Sequence, residues 1–125
     1  MLAQTTPDFE VIIVDDGSTD NTDTLIEAYS DKRIRYLRQE NCGPSRARNT
    51  GIKNARGEYI CFLDSDDRFA SEKLEQTFAY IKKYPYYKIF HTEELWYRNG
   101  QYLAQKKEHK KPEGSVFLQA LEICC

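Results

Sequence analysis

The sequence lacks the features that would assign it to several large classes of protein. No apolar run approaches the roughly 20 residues that a membrane-spanning helix needs. The formal net charge is only −2, so there is no overall electrostatic basis for binding nucleic acid or an anionic membrane surface. The N-terminus shows no signal-peptide pattern. A chain of 125 residues is large enough for one domain but not for two, and we predict a single domain over residues 1–125.

Regularly spaced cysteines are also lacking. Cys42, Cys61, Cys124 and Cys125 form no C-x-x-C pair, and the last two are adjacent. Disulfide frameworks and structural zinc sites have regular cysteine spacings. We therefore interpret the four residues as reduced thiols, which predicts a cytoplasmic protein.

Two apolar runs, each followed by carboxylates, organise the rest of the sequence. Glu10–Val14 and Tyr59–Leu63 are predicted as strands, the second one buried on both faces, because short continuous apolar runs rarely stay exposed. The carboxyl ends of these strands would lie at the rim of a sheet, where open α/β sheets bind ligands. The acids that follow the two strands are Asp15, Asp16, Asp64, Asp66 and Asp67.

The second acidic group, Asp64-Ser65-Asp66-Asp67, carries three carboxylates around one serine. Like charges at this spacing repel one another unless a cation lies among them. Mg²⁺ and Mn²⁺ prefer carboxylate oxygens and keep coordination positions open for phosphate. The alternative is a solvated acidic loop that caps the next helix, and the motif alone leaves both interpretations open.

The remaining sequence alternates between strand and helix patterns. This alternation predicts an α/β fold with a mainly parallel sheet and right-handed crossovers. Helices are predicted after Asp20, at Ser45–Ala55, after a cap at Ser71 and ending before Pro85, and at Gly114–Ile123. Strands are predicted at Ile34–Leu37 and Lys88–Thr92, and a hairpin at Asn99–Gly100.

Three motifs, in this order, resemble those of the family-two glycosyltransferases that have the GT-A fold. They are Val14–Asp20, Gly43–Gly51 and Phe62–Asp67, and the resemblance runs from the first residues to about Tyr102. It implies a three-layer α/β/α, Rossmann-like fold of the nucleotide-diphospho-sugar transferases, with a mainly parallel sheet. The matching part is the nucleotide-sugar-binding half of an inverting enzyme.

The resemblance also implies a role for each matching residue in the first two motifs. Asp16 matches the acid that accepts a hydrogen bond from the ring N–H of uracil. Asp15 matches a structural acid that bonds nearby backbone amides. Arg48 and Asn49 match the helix beside the nucleotide diphosphate.

The third motif is the D-x-D motif of the family. Asp64 matches the acid near the ribose and the metal, and Asp66 matches the direct metal ligand. Ser65 is expected to take part in nucleotide-sugar binding, while Asp67 fits either a metal ligand or a helix cap. The implied ion, Mn²⁺ or Mg²⁺, would stabilise the negative charge that builds up on a nucleoside diphosphate leaving group.

The implied reaction is transfer of a hexose, with inversion, from a UDP-sugar to a saccharide or lipid-linked acceptor. It would serve cell-wall or polysaccharide biosynthesis, in the cytoplasm or at the inner face of the membrane. The family's general base lies well downstream of the D-x-D motif and is expected beyond Cys125. The family also opens with an apolar strand that this sequence lacks. We therefore expect a fragment without the first strand and the C-terminal acceptor part, inactive by itself and able to self-associate through exposed strand edges.

Other functions stay open at this point. A non-catalytic module would keep the nucleotide-sugar pocket without the general base. A nucleotidyltransferase-like or Mg²⁺-phosphatase domain also has acidic strand ends, but Asp15-Asp16-Gly17-Ser18 offers no nucleophile with a general acid and no lysine-bearing phosphate loop. His109, in the basic tract Lys106–Lys111, fits a diphosphate or metal contact or a solvated basic tail. Trp96 and Tyr97 fit a sugar-stacking platform or aromatic packing across a hairpin.

Overall fold

The computed structural model describes residues 1–105, which form a mixed α/β structure. The chain divides into two compact units, Met1–Lys83 and Tyr84–Cys125, and each is described by itself. The prediction of one domain over residues 1–125 stays a prediction. The elements in chain order are β1 (Val11–Asp16), α1 (Thr22–Glu27), β2 (Ile34–Gln39), α2 (Pro44–Asn54), α3 (Lys73–Lys83), β3 (Trp96–Arg98) and β4 (Gln101–Leu103).

The first unit is built around a parallel pair of strands. β1 and β2 pair in parallel, with Val11 opposite Ile34 and Asp16 opposite Gln39, and α1 connects them. The predicted parallel sheet is confirmed for these two strands. Both strands run two residues beyond their predicted ends, because Asp15 and Asp16 pair with β2 instead of belonging to the following turn.

The helix α2 follows β2 and packs on β1. Its sequence pattern predicts Ser45–Ala55, and the observed helix is shifted by one residue at each end. Pro44 occupies the first turn, where its missing N–H costs no helical hydrogen bond. A Cβ atom added at Gly51 would lie 3.7 Å from Cγ2 of Val14, so the helix rests directly on the strand. This contact fixes the position of α2 relative to the carboxyl end of β1.

The predicted strand Tyr59–Leu63 does not form, and its predicted burial is wrong as well. No strand is assigned at these positions, and Ile60 and Phe62 are 44% and 52% exposed. The physical reason is the absence of a partner: within residues 1–105, β1 pairs with β2 and no strand lies beside residues 59–63. A strand takes its hydrogen bonds from a neighbouring strand, so an apolar sequence alone does not produce one.

The helix α3 closes the first unit and is fastened to the N-terminal segment. Ile81 on this helix is buried, with 8% of its surface exposed. The amide of Leu74 donates to Oε1 of Gln4 at 2.9 Å, and Nε2 of Gln4 donates to the carbonyl of Ala70 at 2.7 Å. The helix therefore begins at Lys73 with a distant glutamine as its capping partner, one residue later than the predicted cap at Ser71 implies.

The second unit contains a β-hairpin. β3 and β4 pair in antiparallel fashion, and Asn99 and Gly100 both have positive φ angles, of 51° and 76°, as two-residue hairpin turns require. The predicted hairpin is confirmed. The rings of Tyr97 and Tyr102 meet edge to face at 5.9 Å across the two strands. The strand predicted at Lys88–Thr92 is wrong, because these residues have no strand partner within the described part of the chain.

Candidate functional site

An open cleft of about 610 Å³ lies at the carboxyl end of β1. Gly17 shapes it: its φ is +83°, and an added Cβ atom would lie 2.8 Å from the backbone nitrogen of Asn41. Only glycine tolerates both that angle and that approach, so the loops after β1 and β2 meet at this residue. The cleft is lined by Asp16, Gly17, Ser18, Thr19, Asp20, Asn41 and Pro44.

The carboxylate of Asp16 is held at the edge of this cleft by three hydrogen bonds. Oδ1 accepts from the amide of Cys42 at 3.0 Å and from Nε2 of Gln39 at 2.6 Å, and Oδ2 accepts from the amide of Gly43 at 2.7 Å. The bond from Cys42 and the bond from Gln39 lower the pKa of Asp16, so it is ionised at neutral pH. A carboxylate oxygen has two acceptor positions, so Oδ2 keeps one for a ligand.

Asp15 faces the opposite way and is buried, at 5% exposure. It accepts hydrogen bonds from the hydroxyl of Tyr36 and from the amide of Ser18, the latter at 2.7 Å. These two bonds lower the pKa of Asp15 to about 2. The same contact raises the pKa of Tyr36 to about 12. Asp15 thus ties the loop that lines the cleft to β2.

A second contact brings the D-x-D motif to α2. The Arg48 guanidinium donates to Oδ1 of Asp64 at 3.0 Å. A turn closes the acidic segment, because the amide of Asp67 donates to the carbonyl of Asp64 at 3.1 Å. The other predicted site residues of these segments, Asn49, Ser65 and Asp66, are exposed.

The helix α2 links the two acidic regions. Its preceding residue, Gly43, bonds Asp16, while Arg48 bonds Asp64, and these two positions are separated by about 7.5 Å of helix rise. Asp16 and Asp64 therefore both contact the N-terminal half of one helix. Asp16, after the first predicted strand, and Asp64, of the D-x-D motif, are thus attached to the same end of the same element, whereas Asp15 bonds Tyr36 and Ser18.

The donor set at the D-x-D motif has the chemistry that Mg²⁺ and Mn²⁺ prefer. Asp64 and Asp66 offer exposed carboxylate oxygens within one turn. Among residues 1–105 there is no group of three or more His, Cys, Asp or Glu side chains suited to hold a metal. Mg²⁺ is usually bound through one or two carboxylates together with substrate phosphates and water, so this pair fits such an ion without a protein cage.

Gln39 and Tyr36 help to build the site but belong to none of the three motifs, and Thr50 lies in the second motif, Gly43–Gly51, without a role assigned from the sequence. Gln39 bonds Asp16, Thr50 bonds Gln39, and Tyr36 bonds Asp15. The only sequence signal is the register of β2, where Tyr36, Arg38 and Gln39 interrupt the apolar pattern near the strand's carboxyl end. The predictions for His109, the Lys106–Lys111 tract and the Gly114–Ile123 helix lie outside the described residues.

A parallel α/β unit with acids at the carboxyl end of a strand is typical of proteins that bind ligands at that edge of the sheet. The sequence model of glycosyl transferase family 2 matches residues 1–121, and the chain belongs to this family. Membership in this family implies the GT-A α/β fold and confirms the resemblance found in the three motifs.

Curated proteins that are named glycosyltransferases are similar to this chain over a short part of their own length. An uncharacterized glycosyltransferase of Rickettsia felis is 39% identical over 125 residues, which is 99% of this chain and 21% of that protein. Glycosyltransferase GlyA of Streptococcus pneumoniae is 37% identical over 106 residues, 78% of this chain and 15% of that protein. TuaG of Bacillus subtilis, named for teichuronic acid biosynthesis, is 44% identical over 85 residues, 65% of this chain and 33% of that protein.

The chain spans about a fifth of the length of the relatives it matches first. Within residues 1–105, no helix has both the length and the apolar character that crossing a membrane requires.

Proposed function

We propose that this chain binds the nucleotide diphosphate of a sugar donor for a glycosyltransferase. The donor is a UDP-sugar carrying a hexose, which is transferred with inversion to a saccharide or lipid-linked acceptor. The observation that carries the proposal is the attachment of both Asp16 and Asp64 to the N-terminal half of α2. The name of TuaG supports polysaccharide biosynthesis as the setting. The place of action is the cytoplasm, or the inner face of the membrane.

The uracil, the diphosphate and the ribose of the donor each have a partner among these side chains. Oδ2 of Asp16 accepts the ring N–H of uracil, and a charge-assisted bond of this kind is short and directional. Arg48 and Asn49 face the diphosphate from the first half of α2, while Asp64 and Ser65 lie near the ribose. Arg48 is released from Asp64 when phosphate oxygens become available to its guanidinium.

Mn²⁺ or Mg²⁺ is the cofactor in this proposal, held by Asp64 and Asp66. The ion supplies charge stabilisation to the diphosphate leaving group. Transfer with inversion also requires a base that deprotonates the acceptor hydroxyl in a single in-line step. We assign no residue of this chain to that role.

Isothermal titration of the protein with UDP, with and without Mn²⁺, tests the proposal. We expect Mn²⁺ to strengthen UDP binding by about tenfold or more, equivalent to about 1.4 kcal/mol. Asp66→Ala should abolish that gain. Asp8→Ala is the matched control, because Asp8 is an exposed aspartate in the same unit and outside the proposed site. Metal-independent binding that Asp66→Ala leaves unchanged would contradict the proposed metal site.

A second candidate is a nucleotide-sugar-binding module without catalysis. What favours it is that the contacts around α2 join residues that we assign to donor binding, and that we assign none of residues 1–105 as the general base. Release of free UDP from a UDP-sugar in the presence of a saccharide acceptor distinguishes the two. A transferase releases UDP in proportion to added acceptor, whereas a binding module binds the UDP-sugar and releases none.

A further inference from the structure

A chain of side-chain hydrogen bonds runs from α2 through β2 to Asp16. The hydroxyl of Thr50 donates to Oε1 of Gln39 at 2.7 Å, and Nε2 of Gln39 donates to Oδ1 of Asp16 at 2.6 Å. The three residues come from three different elements of the fold, α2, β2 and β1. All three side chains are partly buried, so water competes less for these bonds than it would at the surface.

The chain of bonds fixes which end of the Gln39 amide faces the acid. An ionised carboxylate only accepts hydrogen bonds, so the NH₂ end must point to Asp16 and the oxygen must point away. The hydroxyl of Thr50 meets that oxygen with a donor. Without it, the amide oxygen would have no donor among these partners, and Gln39 would gain freedom to leave Asp16. Thr50 thus acts on Asp16 through Gln39.

The arrangement leaves one acceptor position on the acid. Gln39 and the amide of Cys42 take Oδ1, and the amide of Gly43 takes one position of Oδ2. Because donors bind both Oδ1 and Oδ2, the plane of the carboxylate is fixed, and the remaining acceptor position of Oδ2 has a fixed direction. A ligand that donates an N–H meets it favourably, and a ligand that presents a lone pair is repelled.

We propose that Gln39 and Thr50 are positioning residues that orient the free lone pair of Asp16 and thereby select a nucleobase with a ring N–H over one with a ring acceptor. Uracil has a ring N–H at the position where cytosine has an unprotonated nitrogen. The proposal rests on the proposed function, because it specifies how the nucleotide site chooses its base. It adds that the choice is controlled from α2, by a residue that does not touch the ligand.

Binding of UDP and CDP to Thr50→Val tests the positioning role. Valine keeps the size of threonine and removes its hydroxyl. We expect UDP affinity to fall by about three- to tenfold, the range for loss of one hydrogen bond, with a smaller change for CDP. The UDP-to-CDP selectivity ratio should therefore fall. A structural role alone would weaken both nucleotides equally.

The matched control is Thr77→Val. Thr77 is also a partly buried threonine on a helix of the same unit, and its hydroxyl donates to the carbonyl of Lys73 at 2.8 Å. We expect its selectivity ratio to equal that of the unmodified protein. Thr50→Ser should restore the ratio, since serine keeps the hydroxyl.

A double substitution tests whether Thr50 acts through Gln39. In a Gln39→Met background, Thr50→Val should have no further effect on UDP affinity, because the intermediate amide is gone. Independent, additive losses would overturn the proposed relay. An unchanged selectivity ratio in Thr50→Val, with UDP still bound, would also overturn it while leaving the proposed function intact.

A measurement without ligand separates the two proposals. The carboxyl carbon of Asp16, followed by NMR through an acid titration, reports how firmly its hydrogen bonds hold. We expect the pKa of Asp16 to rise toward its ordinary value in Thr50→Val and to stay unchanged in Thr77→Val. This result would support the positioning role even if UDP failed to bind, and an unchanged pKa in Thr50→Val would overturn it.

Discussion

At the scale of the residue, the two adjacent aspartates of β1 have opposite tasks because successive side chains of a strand point to opposite faces. Asp16 lies at the cleft, and Asp15 is buried against Tyr36. Three further contacts hold the same loop: Arg38 lies 3.9 Å from the Asp15 carboxylate and 3.4 Å from that of Asp23, and it donates to the carbonyl of Ser18 at 3.0 Å. The buried acid therefore supports the loop that lines the cleft beside the exposed acid.

The Asp15–Tyr36 contact makes stability depend on pH at both extremes. The pKa of Asp15 is lowered from 3.8 to about 2, so its contribution is present above pH 3.8 and is lost as the pH falls through about 2. The pKa of Tyr36 is raised from 10.0 to about 12, so its contribution is present below pH 10 and is lost as the pH rises through about 12.

Tyr36→Phe removes this hydrogen bond and leaves the ring in place. We expect a lower thermal midpoint at pH 7 and a smaller loss of stability on acidification from pH 4 to pH 2, because Asp15 then has a pKa nearer its ordinary value. Thermal unfolding measured across this pH range checks it. The control is Tyr29→Phe, since Tyr29 is 61% exposed. Equal acid sensitivity of the two variants would contradict the assigned contact.

The positions of the acids were predictable from the sequence, but their partners were not. Short apolar runs followed by aspartates place Asp15 and Asp16 at a strand end, and the structure agrees. The donors that hold Asp16 are Gln39 and the amides of Cys42 and Gly43, all more than twenty positions away. Which of them reaches Asp16 depends on the register of β2 and the start of α2, which no local pattern specifies.

At the scale of the element, local sequence signals predicted correctly those elements that form their backbone hydrogen bonds within themselves. Helix α2 was predicted to within one residue, and the β3–β4 hairpin was predicted from Asn99–Gly100. A helix bonds within itself, and a hairpin carries its partner strand with it. The failure at Tyr59–Leu63 has the opposite cause. Its apolar residues suit a buried strand, but the hydrogen-bonding partner has to come from elsewhere in the protein.

The start of α3 shows how an element can depend on a distant residue. The first amides of a helix have no partner within it, and here the side chain of Gln4 bonds the amide of Leu74. Gln4→Met should lower the free energy of unfolding by about 1 kcal/mol, as loss of a helix cap does. Urea unfolding provides the measurement.

The control for the α3 cap is Gln76→Met, on the exposed surface of the same helix. Within residues 1–105 its side chain makes no hydrogen bond, so the expected change is smaller than about 0.5 kcal/mol. If Gln76→Met lowers the free energy of unfolding as much as Gln4→Met does, the hydrogen bond between Gln4 and Leu74 adds no stability to the helix.

At the scale of the whole molecule, the residues that line the cleft of the first unit differ from the buried apolar residue that stabilises it, Ile81 on α3. The cleft lies where β1, β2 and α2 meet, whereas Tyr59, Ile60 and Phe62, between α2 and α3, are exposed. Exposed apolar segments and unpaired strand edges favour association with another strand, within the same protein or in a second copy. Self-association stays a prediction. From their exposure we expect residues 59–63 to add little to the folding of this chain.

A pair of truncations tests that distribution of stability. Ile81→Ala removes a buried side chain and should lower the free energy of unfolding by about 2–4 kcal/mol. Phe62→Ala removes a larger side chain that is 52% exposed, and the expected loss is below about 1 kcal/mol. In a strand buried on both faces, Phe→Ala would cost about 3–5 kcal/mol. Urea unfolding of the two variants decides between these cases: a larger loss for Phe62→Ala than for Ile81→Ala would mean that residues 59–63 are packed as a strand.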